Sequence, residues 1–201
     1  MGLASFYMQE MLGYIFVVFP VYALLRISYL GIRRVRPTVS REVLLATTVM
    51  YATGLLSQTL LPHGYYVEDW RLFAKTISSS YRSFNVVPLH TIWSYVFTYN
   101  DQVSDWGAVA LMNLLANVLL FVPLGFLAPL LRRGKTTLRQ VLAIGVATSF
   151  TIEAVQFFIG RSADVDDILL NVLGVCIGYL VLAAVRNARL LAPASAAVDV
   201  S

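Results

Sequence analysis

Long apolar stretches broken by short charged ones set the pattern of this chain. Four of them, 43–61, 107–131, 137–159 and 168–185, are each near or above the about 18–20 residues that a helix needs to cross a hydrocarbon core. A fifth, from Met11 to about Leu30, is free of charge between Glu10 and Arg26. It spans if Arg26 extends toward the interface, as long basic side chains do. The pattern predicts an all-α protein, a polytopic transmembrane helical bundle of about five spans. The stretch NVVPLHTIWSYVFTY, from Asn85 to Tyr99, is apolar and aromatic but too short and too interrupted to span. Its Trp93, Tyr95 and Tyr99 suit the headgroup level, so an outer interfacial or re-entrant segment is expected there.

Polar residues inside the long stretches fall in register. Asn113 and Asn117 are four apart and share a helix face, which Phe121 continues. Pro123, in FVPLG, removes a backbone donor and is expected to bend the helix. Gly145, Ser149, Glu153 and Gln156 step by four, four and three. Asp164, Asp167, Asn171, Gly174 and Gly178 step by three, four, three and four. The last two form a G-x-x-x-G pair, which lets a neighbouring backbone come close. Glu153 lies fourteen residues past Arg139, or ~21 Å at helical rise, beyond the bilayer centre. A turn of about five residues makes the last two spans antiparallel neighbours, with Arg161 in reach of Glu153 or an aspartate. Three helices thus bring a polar face to the same end, and one buried cluster is expected.

Composition agrees with lipid as the solvent: 58% of residues are hydrophobic and 13% charged, against about 45–50% and 25% in soluble domains. Of the net charge of +4, location matters more than sum. Arg33, Arg34, Arg36 and Arg41 follow the first span; Arg132, Arg133, Lys135 and Arg139 follow the third; Arg186 and Arg189 follow the last. The segment between the second and third spans is mixed, with Glu68, Asp69, Asp101 and Asp105 against Arg71, Lys75 and Arg82. The positive-inside rule then puts the amino terminus outside, the carboxyl terminus in the cytoplasm and the polar cluster toward the outside. The first ten residues carry no Lys or Arg, unlike the basic start of a signal peptide. Cys176 is the single cysteine, so no internal disulfide forms.

Each candidate has a plain reading beside a chemical one. Glu153 at its depth costs about 2.5–3.5 kcal/mol without a partner, which marks it as a functional candidate. Asp164, Asp166 and Asp167 open a helix, where negative charge satisfies free N–H groups and the macrodipole. Asp164 and Asp167 also lie on the glycine stripe, and Asp166 does not. Asn113, Asn117 and Asn171 could simply bond between helices, at about 0.6–2 kcal/mol each. Glu153, Asp164 and Asp167 could hold a hard divalent cation. Nothing in their spacing demands one, and no metal or cofactor is assigned. His63 and His90 are too far apart to read as a ligand pair.

These residues resemble the VanZ-like family of small bacterial membrane proteins. The family pairs an Asn-rich span ending in FxPLG with a later run S-x-x-x-E-x-x-Q…R-x-x-D-x-x-D-x-x-x-N-x-x-G-x-x-x-G. Here NLLANVLLFVPLG supplies Asn113, Asn117, Phe121, Pro123 and Gly125. Ser149, Glu153, Gln156, Arg161, Asp164, Asp167, Asn171, Gly174 and Gly178 meet the run. Asn85 and Pro88 in NVVPLHTI resemble a shorter upstream motif. The likeness covers roughly Met50 to Val185, within a single transmembrane domain expected over 1–189; the small, polar-leaning residues at the end predict a disordered cytoplasmic tail at 190–201.

The resemblance further implies a bacterial plasma-membrane protein, akin to one associated with low-level resistance to teicoplanin-type glycopeptides. The first functional expectation is a site that binds a membrane lipid, a lipid-linked envelope precursor or a lipoglycopeptide-related ligand. Asn113, Asn117, Ser149, Gln156, Arg161 and Asn171 would bind it, Arg161 by a forked contact to phosphate or carboxylate. The second is an intramembrane hydrolase or transferase with Glu153 as general base, assisted by Asp164 or Asp167. No nucleophile elbow, zinc signature or phosphate loop accompanies it. A flippase lacks an evident inverted repeat, and a scaffold around a buried salt bridge is the plainest alternative. No nucleic acid is expected as a partner.

Overall fold

The structure is a computed structural model that describes residues 3–61, 84–103, 105–132, 134–159 and 161–191. His63, Glu68, Asp69, Arg71, Lys75, Arg82, Arg133 and the tail from residue 192 lie outside the described residues. In chain order the elements are α1 (Leu3–Arg33), α2 (Val39–Leu60), β1 (Phe84–Asn85), α3 (His90–Phe97), α4 (Trp106–Leu131), α5 (Leu138–Phe158), β2 (Ala163–Asp164) and α6 (Val165–Leu191). All but α3 among the helices are long and apolar enough to cross a membrane, which gives the five expected spans. The protein is an all-α helical bundle.

Local chemistry sets the ends of these rods. Thr137 and Gln140 open α5 with a capping box, each side chain accepting the other's backbone N–H. Gly134, in the turn from α4, has a φ of +100°, which an L side chain would resist. α4 runs unbroken through Pro123 and Pro129.

The core is built on contact between α4 and α6 at the level of bare backbone. A Cβ on Gly174 would lie 2.1 Å from the Val118 carbonyl oxygen, and one on Gly178 2.0 Å from that of Val122. In return, one on Gly125 would lie 2.0 Å from the Val175 oxygen. The G-x-x-x-G pair therefore does what its spacing predicts. Behind it, Phe121, Val141 and Val175 are sealed from solvent. Leu55 brings α2 into the same core, and the Tyr51 hydroxyl donates to the Leu120 carbonyl at 2.9 Å. α1 leans on α2, with Met11 against Gly54 and Arg26 gripping both Glu42 oxygens at 2.7 and 2.8 Å. Its Phe16, Val17, Leu24, Leu25 and Ile32 remain exposed, as a lipid-facing surface requires.

The contacts also fix direction. Thr59 meets Gln156 and Tyr51 meets Leu120, so α2 runs parallel to α5 and antiparallel to α4. Arg41, Arg132, Lys135 and Arg139 therefore gather at one end of the bundle and the carboxylates at the other.

Candidate functional site

At the carboxylate end β2 leads straight into α6. Its two residues pair in parallel with β1, Phe84 beside Ala163 and Asn85 beside Asp164. This register makes Asp164 a hub. Its Oδ1 accepts from Asn85 Nδ2 at 3.0 Å and from the Asp166 N–H at 2.9 Å. Its Oδ2 accepts from the Thr91 hydroxyl. Its own N–H donates to Glu153 Oε2 at 3.0 Å.

Asp166 is completely buried, and its carboxylate reaches across to another helix. It accepts the N–H groups of Leu89, Thr91 and Ile92, the last two at 2.8 and 3.1 Å. These are free donors at the start of α3, where a carboxylate also meets the positive end of the helix dipole. Leu89 turns the chain there with a φ of 66°. Residues 84–97 thus form a roof over the carboxylates. Its Phe84, Val86, Val87, Trp93 and Phe97 are exposed, as the expected interfacial role requires.

Beneath the roof lies a second layer. Asn117 Nδ2 donates to Asp167 Oδ1. Glu153 is 5% exposed, and Arg161, Asp164 and Asp167 are all near enough to act on its charge. Gln156 Nε2 and Arg161 Nη1 both donate to the Thr59 carbonyl, at 2.8 and 2.7 Å. One helical turn deeper, Asn171 Nδ2 donates to Ser149 Oγ at 2.9 Å. The Oε1 of Gln156 and the Oδ1 of Asn171 are buried without a hydrogen-bond partner among the described residues. Below Ser149 the polar ladder ends on the apolar plug of Phe121, Val141 and Val175.

The structure thus gathers Asn117, Glu153, Gln156, Arg161, Asp164 and Asp167 at one end, with Ser149 and Asn171 as a sealed pair below. Asn113 stays at the exposed rim, with a long 3.5 Å approach to the Tyr95 hydroxyl. Burial pushes the Tyr95 phenol above its ordinary range, and the charges of Asp167 and Asp164 add to the effect. Arg161 lies near enough to Glu153 and Asp167 to act on their charge, as expected, and its guanidinium donates to the Thr59 carbonyl. Asp166, read from sequence as a charge at the start of its own helix, instead caps α3. Asn85, Thr91 and the Thr59 carbonyl complete the cluster. Only Asn85 carried a sequence signal, through the upstream motif. Among the described residues no three His, Cys, Asp or Glu side chains converge as a metal site.

The family model for VanZ/LLP1 matches residues 48–186, from the middle of α2 to near the end of α6. No curated protein and no solved structure matches the chain.

Proposed function

Because the chain belongs to the VanZ/LLP1 family and carries five membrane-crossing helices, we propose that this multi-pass membrane protein turns its carboxylate end outward. There it binds a cell-envelope precursor or a lipoglycopeptide-related ligand. Binding contributes to teicoplanin-type glycopeptide resistance or to envelope homeostasis in a bacterial plasma membrane.

One observation carries this reading: a division of labour among buried polar groups. Asp164 and Asp166 each accept three hydrogen bonds, five of the six from the roof, and serve to hold it. Gln156 and Asn171 each keep a buried acceptor oxygen without a donor among the described residues, at about 1–3 kcal/mol apiece. A ligand bearing amide or hydroxyl donors relieves that cost, and peptide and sugar groups carry both. The Glu153 and Asp167 carboxyls add further acceptor oxygens for such donors. The plug beneath Ser149 supports a binding site over a conduit. Entry requires the roof to lift, since it covers the carboxylates and is fastened to them by Asn85, the Thr91 hydroxyl and the amides of Leu89, Thr91 and Ile92.

The gathering of Glu153 with Asp164 and Asp167 favours one second reading, an intramembrane hydrolase or transferase with Glu153 as general base. Ser149, wholly buried, is a poor nucleophile for it.

Native mass spectrometry of the purified protein tests both, alongside teicoplanin susceptibility of a bacterium that expresses it. For the binding reading, Glu153→Gln and Asn171→Leu release a co-purified ligand and abolish the gain in resistance while the fold persists. For the enzyme, Glu153→Gln keeps the ligand and stops its conversion. Folded variants that retain both ligand and resistance would rule out the site.

A further inference from the structure

Between α2, α4 and α5 a groove of about 350 Å³ runs from mid-bundle to the basic end. Its walls are apolar, with Leu55, Leu56, Leu127 and Ile144 among them, and Arg132 sits at its mouth. On α2 and α5 the lining is mid-helix, at Thr48 to Leu56 and at Ile144 and Thr148; along α4 and its C-cap it runs from Leu124 to Arg132 at the basic end. Leu124 to Arg132 is eight steps of chain, ~12 Å at 1.5 Å per residue. One leaflet of hydrocarbon is about 15 Å deep, half of a ~30 Å core. The groove is therefore as long as most of one leaflet and opens where a span ends, at headgroup depth.

Charge selects the occupant. Arg132 is exposed and makes no ion pair or hydrogen bond with the described residues. Lys135 and Arg139 follow within two turns of chain, and Arg41 starts α2 at the same end. An apolar slot with a cationic mouth fits an amphiphile with an anionic head, and basic pockets between spans recognise lipid headgroups. We propose that this groove binds one acyl chain of an anionic phospholipid, with Arg132 holding its phosphate by forked charge-assisted hydrogen bonds.

Such a lipid acts at a distance. Tyr51 lines the groove and is tied to the Leu120 carbonyl. The far end of the same helix presents the Thr59 carbonyl to Gln156 and Arg161. A chain wedged between α2 and α4 therefore sets how α2 is seated at the carboxylate end.

The test is native mass spectrometry of the full chain in detergent, titrated with phosphatidylglycerol, phosphatidylcholine or oleate. One phosphatidylglycerol is expected to be retained in preference to phosphatidylcholine. Arg132→Gln weakens it about tenfold, the equivalent of one charged hydrogen bond, and erases the preference. Ala52→Phe, which fills the slot from α2, removes the lipid. Equal retention of the two phospholipids, or unchanged phosphatidylglycerol binding in Arg132→Gln, overturns the proposal. Oleate bound as tightly as phosphatidylglycerol overturns the phospholipid assignment. Should Ala52→Phe fail to fold, the exposed Arg132→Gln decides the matter alone.

Discussion

Replacing Asp166 should open the roof and leave the bundle intact. The carboxylate accepts three backbone N–H groups, of Leu89, Thr91 and Ile92, from a position with no solvent exposure. Asp166→Asn keeps the shape and one acceptor oxygen but loses the charge, and it turns the other oxygen into a donor facing donors. One charge-assisted bond lost costs about 1.5–3 kcal/mol. At 1.4 kcal/mol per decade, the roof then opens roughly ten- to 150-fold more often. Asp166→Ala strands all three amides, yet its penalty is capped. The exposed roof can lift and give its donors to water, so the loss cannot exceed the free energy that docks it. Hydrogen–deuterium exchange, read by mass spectrometry on protein in nanodiscs, measures this directly. Amides of residues 89–92 are expected to exchange faster by that factor in Asp166→Asn. Amides of α4, α5 and α6 should keep their wild-type rates. Unchanged exchange at residues 89–92 would show that Asp166 does not hold the roof. Acceleration throughout α4–α6 would show that roof and bundle are one cooperative unit, which the reasoning denies.

Other outcomes follow from the packing. Gly178→Ala puts a methyl group 2.0 Å from the Val122 oxygen, where ordinary contact needs ~3.3 Å. The helices must part, and stability to denaturant should fall by about 3 kcal/mol or more. Gly13→Ala, with nothing within 4 Å, should be neutral or gain up to about 1 kcal/mol in the same assay. Ser149→Ala removes the acceptor of the Asn171 amide and should cost about 1–2 kcal/mol. Adding Asn171→Leu should recover most of it in a double-mutant cycle, because no buried donor is then left over. Phe121→Ala, at 1% exposure, should cost about 3–5 kcal/mol by the cavity it opens, read as a lower unfolding temperature.

The rods were legible because their evidence is local. Run length and apolar content located α4 and α5 to within one residue of 107–131 and 137–159. The stripes through Glu153 and Asp167 were legible too, since a helical repeat turns spacing into a shared face. The interfacial segment at 85–99 was legible as well, but the bonds that fasten it were hidden for a different reason. Asp166 binds main-chain N–H groups, and the Thr59 carbonyl binds Gln156 and Arg161. Main-chain groups are the same at every residue, so no side-chain pattern announces them. Asp166 also had a sufficient local explanation at the start of α6, which the contact with α3 replaced. The short turn put Arg161 in reach of Glu153 and an aspartate, as expected, but its bond to a main-chain carbonyl at 2.7 Å left no mark in the spacing.

The fastening of residues 84–97 bears on how the chain is made. Every side-chain bond from them to Asp164 and Asp166 joins positions 73–79 residues apart. During synthesis the earlier segment emerges first and must wait at the bilayer surface while α4 and α5 are inserted. Only the arrival of the last span brings the anchoring aspartates. Contacts this distant in sequence form late, so maturation ends with this closure, and a nascent chain stalled after Phe158 would carry an intact but unlatched segment.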